Sequence, residues 1–214
     1  AVHGGGGEGR MSNLLPSRWS RRPTHPNSER LRAIRTALRM TQGEMADALG
    51  VHISTIRNWE YGTLSSPPSR EMMDVAEALM REPSEQVKRL LKLNGRELVG
   101  EWCRTLSLTH DDYAGLALHL GVARTTPFRW MSESSQPPVS VLCTIDDRVA
   151  EVRAKIDAAP PACRELHKLR VTYGRPLGRF ASVFGLEGAQ VAAMERGESE
   201  PAAEDLARIR QHLH

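Results

Sequence analysis

An all-α fold follows from three features of the sequence. Apolar residues recur at spacings of three and four along most segments, the period of a helix with one buried face. Aromatic and β-branched residues do not form the alternating runs of strands. Helix signals punctuate the chain: Ser, Thr or Asn ahead of apolar stretches, Gly and paired Pro behind them. With 214 residues the chain exceeds one small helical domain, so two or three domains are expected. The 29 basic and 26 acidic residues leave a net charge of +3, too mild by itself to demand a nucleic-acid partner. Cys103, Cys143 and Cys163 are odd in number and lack metal-type spacing, which fits reduced, buried thiols in a cytoplasmic protein. No apolar run reaches the roughly 18–20 residues that span a bilayer, and no secretory signal is evident.

Taken in order, Ala1–Arg10 is glycine-rich and reads as an added leader, with Met11 as the native start. Ser12–Pro26 holds Arg18, Arg21 and Arg22 around Trp19, with prolines that discourage a helix. It reads either as a basic arm that follows phosphates or enters a minor groove, or as a plain tail. Asn27 or Ser28 is expected to cap the first helix, whose stripe is Leu31, Ile34 and Leu38. Thr41 and Glu44 form a capping box for the second. Met45, Ala46 and Leu49 make its apolar face, and Gly50 ends it where a left-handed backbone is easiest. A third helix starts near His52, with Ile56 and Trp59 inward and Ser54, Thr55, Arg57 and Asn58 outward. Ser69 caps the next helix, and Glu82-Pro83-Ser84 breaks it and starts another. Asn94-Gly95 reads as a stop.

Thr41-Gln42, Met45-Ala46, Leu49-Gly50-Val51, Ile56, Trp59-Glu60-Tyr61-Gly62 and the downstream Pro68-Ser69, Met72, Val75, Ala76 and Leu79 resemble the phage-repressor/Cro (XRE-like) helix-turn-helix family. The likeness covers about Asn27 to Leu79. It implies a compact helical domain that binds operator DNA, often as a homodimer, in a bacterial or phage-encoded, nucleoid-associated protein. It also implies a phosphate contact from Gln42 and base contacts from the start and outer face of the second motif helix.

The chain repeats itself. A shift of 71 places Gly50-Val51 on Gly121-Val122 and Trp59 on Trp130; before Thr109 a shift of 68 fits better, so this copy carries about three extra residues. Val99, Trp102 and Leu106 then form its first helical face. A shift of 135 finds a third copy: Leu166, Leu169 and Tyr173, then Phe180-Ala181, Phe184-Gly185-Leu186, Val191, Met194-Glu195 and Gly197. The expected architecture is three tandem helix-turn-helix (lambda-repressor-like) units joined by helical linkers. The divisions are 1–26 for leader and arm, 27–95 for the first unit, 96–136 for the second, 137–160 for a linker helix and 161–214 for a degenerate third. The linker stripe Leu142, Ile145, Val149, Val152 and Ile156 packs on a neighbour or pairs between chains.

The copies differ on their outer faces. The first presents His52, Ser54, Thr55, Arg57 and Asn58; Arg suits guanine and Asn adenine, each worth about 1–3 kcal/mol of discrimination. The second presents Arg124, Thr125, Thr126 and Arg129, with Pro127 in the place of Ile56, tolerable only in a first helical turn. The stretch VARTTPFRWM also resembles the helix-turn-helix of some recombinases and transposases. The third presents Glu187, Gly188, Ala189, Gln190, Ala192 and Ala193, a poor reader of phosphates and bases, and is expected to serve packing, dimerisation or a protein partner.

No P-loop, dinucleotide glycine motif or zinc-spaced Cys/His pair is present, so no cofactor, no metal and no enzymatic activity are expected. His110-Asp111-Asp112 reads as a helix start, and His119 and His167 as surface or boundary residues. The expected function is a sequence-specific transcriptional regulator of the repressor type that binds double-stranded operator DNA. The alternatives are a recombination, excision or plasmid-maintenance accessory of a mobile element, and an antiactivator or antitoxin acting by protein binding.

Overall fold

The computed structural model describes residues 25–63, 66–81, 83–132 and 137–213. Arg18, Arg21 and Arg22 lie outside them. The described residues form thirteen helices and no strand, so the all-α expectation holds.

Four helices build a first core: α1 (Pro26–Ala37), α2 (Gln42–Leu49), α3 (Ile53–Glu60) and α4 (Arg70–Arg81). Leu31, Ile34, Leu38, Met45, Ala46, Ile56, Trp59, Met73 and Ala76 are its buried residues. The cap of α1 is His25, not Asn27 or Ser28: Nδ1 of His25 accepts from the Asn27 amide, and Pro26 takes the first helical position. Proline belongs there because its fixed φ suits the first turn and its missing N–H is not needed. Ser28 is buried inside the helix, and Asn27 donates from its side chain to the Pro68 carbonyl ahead of α4.

The second core gathers α5 (Glu85–Lys92), α6 (Gly95–Thr105), α7 (Tyr113–Leu120), α8 (Thr126–Trp130), α9 (Val139–Ala158), α10 (Pro161–Tyr173), α11 (Leu177–Val183), α12 (Gly188–Glu195) and α13 (Ala203–Leu213). Helix α9 is its spine, packing on α5, α6, α7 and α10 within the chain through Leu142, Val149, Val152 and Ile156. Trp102 lies edge-on to Trp130 and donates to Asp146 of α9, which also receives Arg89 and Gln86 from α5. Helix α5 straddles the cores: Leu90 is buried in the second, and Leu91 packs against the first.

Asn94-Gly95 is a start rather than a stop. Asn94 caps α6, with Glu97 completing a capping box. The glycine is required by packing: a Cβ on Gly95 would lie 2.0 Å from the Trp130 carbonyl oxygen, so α6 meets the end of α8 only without a side chain there. Left-handed backbone follows α1, α6 and α10 at Arg39, Ser107 and Gly174, with φ of 50°, 54° and 64°. It follows α2, α7 and α11 at Gly50, Gly121 and Gly185, with φ of 64°, 65° and 69°, and α3 and α12 at Gly62 and Gly197, with φ of 66° and 73°.

His119 is not a surface residue. It is 3% exposed and faces Glu195 of α12 at 3.1 Å. His167 also reaches Glu195, at 3.2 Å. Arg170 is 1% exposed and donates from Nε to the same carboxylate at 2.5 Å and to the Ser107 carbonyl at 3.0 Å. Burial would raise the Glu195 carboxyl; His119, His167 and Arg170 together overcome it and hold it well below the usual carboxylate range. Burial pushes His119 down from 6.5, with Glu195 opposing in part. The unfolded chain then binds more protons than the folded one as pH falls through 6.5. Thermal unfolding followed from about pH 8 to about pH 5 should show the second core losing stability below that value, and His119→Gln should flatten this slope.

Candidate nucleic-acid interface

The helix pair α2–α3 is built by local signals. The Thr41 side chain accepts from the Glu44 amide while Glu44 accepts from the Thr41 amide, fixing the entry to α2. Gly50 turns the chain left-handed, and His52 caps α3, its Nδ1 accepting from the Ser54 amide and lying 2.8 Å from the Ser54 hydroxyl. Ile56 and Trp59 anchor α3 inward, and Trp59 donates from its indole to the Ser66 carbonyl.

Six expected site residues come together on the surface of this pair. His52, Ser54 and Arg57 are exposed; Gln42, Thr55 and Asn58 are half-buried. Arg57 forms no ion pair among the described residues. Asn58 accepts from the Thr63 hydroxyl at 3.0 Å, which holds its amide plane and leaves the amide nitrogen without a partner among the described residues. Gln42 is anchored as well: its side-chain amide donates to Glu60 Oε2 at 2.8 Å.

Glu60 is the residue that sequence reasoning missed here. It is 4% exposed and accepts from Arg35 Nε at 2.6 Å and Nη2 at 3.0 Å as well as from Gln42. Burial alone would raise its carboxyl; Arg35 and Gln42 outweigh that and lower it. Arg35 in turn donates to the Met40 carbonyl. One buried carboxylate thus joins α1, the start of α2 and the end of α3. A signal was available: the 135-residue shift that aligns Gly50 with Gly185 also carries Arg35 onto Arg170 and Glu60 onto Glu195.

The second set of expected residues is arranged differently. Helix α8 begins at Thr126, so Arg124 and Thr125 lie in the turn ahead of it rather than on its face. The cause is Pro127, which is buried like Ile56 but lacks an N–H, so it sits in the first turn and the helix starts late. Arg124, Thr125 and Arg129 are exposed and Thr126 is half-buried. Neither arginine forms an ion pair among the described residues.

Helix α12 is not open in the same way. Helix α7 packs across it. A Cβ on Gly188 would lie 2.9 Å from Leu118 of α7, Ala192 is fully buried, Glu195 meets His119, and Arg196 donates to the Leu118 carbonyl. Small residues at 188 and 192 are what this close approach needs. Asp112 fastens the same junction, accepting from the Gly115 amide at the start of α7 and from the Leu177 amide at the start of α11. Ala189 and Gln190 remain exposed, beside Glu187.

Among the described residues no group of three or more His, Cys, Asp or Glu side chains is arranged to hold a metal ion, and no helix is long and apolar enough to cross a membrane. Comparison with curated proteins and with solved structures found no match. Residues 31–86 match the family described as helix-turn-helix, which takes in most of α1, all of α2–α4 and the first two residues of α5. That match supports a helix-turn-helix DNA-binding domain of the XRE type over these residues, in keeping with the capped α2, the left-handed Gly50 and the polar α3 face.

Proposed function

We propose that the protein is a sequence-specific transcriptional regulator that reads double-stranded operator DNA through α3. In this reading the turn and helix around Arg124–Arg129 are a second contact, and α10–α13 hold the assembly together. The observation that carries it is the contrast between two related helices: the outer face of α3 is polar and exposes Arg57, whereas Ala192, in the corresponding place on α12, is buried where that helix packs on α7. An exposed Arg57 beside an oriented Asn58 suits guanine and adenine edges, and Gln42 at the head of α2 suits a phosphate.

The reading of the chain as three related units is supported by the two sets of left-handed residues at matching shifts and by the Arg35–Glu60 and Arg170–Glu195 pairs. The second unit has Cys103 and Met131 at the corresponding places, an apolar substitute for the pair. With two readers in one chain, a monomer would take a direct or asymmetric site, while a homodimer would take inverted half-sites about one helical turn apart. Arg18, Arg21 and Arg22 would add phosphate contacts in either case.

The test is selection of bound duplexes from a random library with the full chain, followed by binding of Arg57→Ala and Asn58→Ala variants. Each should cost about 1–3 kcal/mol on the selected duplex and relax preference at one base position. Affinity should fall steeply with salt as bound counterions are released. One observation favours a second reading, a regulator acting by protein binding: α7 and α12 already use helix-turn-helix surfaces for protein contact. Failure to enrich any duplex, or a flat salt response, would select that reading instead.

A further inference from the structure

Phe128 is a large apolar side chain in an unusual place. It is 52% exposed on α8, edge-to-face with Tyr113 of α7 at a ring separation of 5.1 Å and an interplanar angle of 76°. The register of this segment against the first unit is pinned at both ends. Gly121 and Gly50 share the same left-handed φ, and Trp130 and Trp59 are both buried. Pro127 is buried as Ile56 is. Between these markers the residue count is equal, so Phe128 stands two before Trp130 as Arg57 stands two before Trp59. In the first unit that place is the centre of the proposed base-reading face.

We infer that Phe128 is a specificity-determining residue that contacts thymine 5-methyl groups in the major groove. The inference rests on the second unit being a DNA reader. The 5-methyl of thymine is the one apolar group on the base edges of that groove, and an aromatic side chain is among its known contacts. Phe128 is suited to it by three features. It projects from the surface; the Tyr113 edge restricts its ring; and the exposed Arg124 and Arg129 on either side in sequence carry charge complementary to phosphates. A base contact by Arg57 would read guanine; its counterpart here reads A·T pairs, so the two units select different sequences.

The test uses the full chain and a duplex enriched by it from a random library. Each thymine is replaced in turn by deoxyuridine, which lacks only the methyl group. At one or two positions wild type should lose about fourfold in affinity, the worth of one methyl group removed from water. Phe128→Ala should lose a similar factor on the thymine duplex and no longer distinguish deoxyuridine, while Phe128→Leu should keep the discrimination and report that the fold is intact. If wild type is blind to every deoxyuridine, or Phe128→Ala still discriminates, the assignment to Phe128 is overturned. If Arg124→Ala and Arg129→Ala also leave affinity unchanged, the second unit is no DNA reader and the reading beneath the inference falls as well.

Discussion

Glu195→Ala should destabilise the α5–α13 core by about 3–5 kcal/mol, the cost of leaving a buried charge without its partner. Arg170 is 1% exposed, and its Nε lies 2.5 Å from the carboxylate that would be lost. His119 and His167 lose the same partner. Among the described residues the Arg170 head would keep the Ser107 carbonyl as an acceptor, apart from a 3.3 Å approach to His167 Nδ1. The two cores are built from different residues, so the loss should be local. Amide hydrogen exchange resolved by helix would show α7, α10 and α12 opening first while α1–α4 stay protected. Equal loss in both cores would contradict the division. A double replacement, Arg170→Met with Glu195→Leu, should recover much of the stability, because no charge is then left buried.

Glu60→Ala should act on both stability and DNA binding. Its side chain is 2% exposed, but that of Arg35 is 18% exposed and can reach water once released. The cost should therefore be smaller, about 2–3 kcal/mol, as for hydrogen bonds to a charged group. Gln42 loses the bond that orients it at the head of α2. If Gln42 contacts a phosphate as proposed, affinity should drop about tenfold, evenly over operator and unrelated DNA, since an oriented hydrogen bond is worth roughly 1–1.5 kcal/mol. Arg57→Ala should instead change sequence preference. Equilibrium binding to both kinds of duplex separates the two effects, and a specificity change from Glu60→Ala would overturn the positioning role.

These two glutamates also mark the limit of reading the chain without its fold. Glu60 belongs to the Trp-Glu-Tyr-Gly signature, but nothing local marks its carboxylate as buried, because its partners lie 25 and 18 residues away. His119 was misplaced for the same reason: its partner on α12 is remote in sequence, and a polar residue in a helix carries no local mark of burial. Asn94-Gly95 has the composition of a turn, and only the approach of the Trp130 carbonyl explains the glycine. Pro127 left the register of α8 open until the structure put it in the first turn.

By contrast, most of the helices were legible from residues within four places of one another. The Thr41–Glu44 capping box, the left-handed Gly50 and the three- and four-residue apolar stripes act over that range, so sequence alone determined the helix-turn-helix of Thr41–Gly62 and the polar face of α3. The 135-residue self-similarity was equally visible. What only the tertiary structure decided is which related face stays open. Helix α12 carries alanine where α3 carries Ser54, Arg57 and Asn58, a pattern that fits either a lost contact or a close-packed one. The burial of Ala192 and the approach of Gly188 to Leu118 resolve it as packing against α7. Burial depends on the partner surface brought up by the fold, and that partner leaves no periodic trace in the segment it covers.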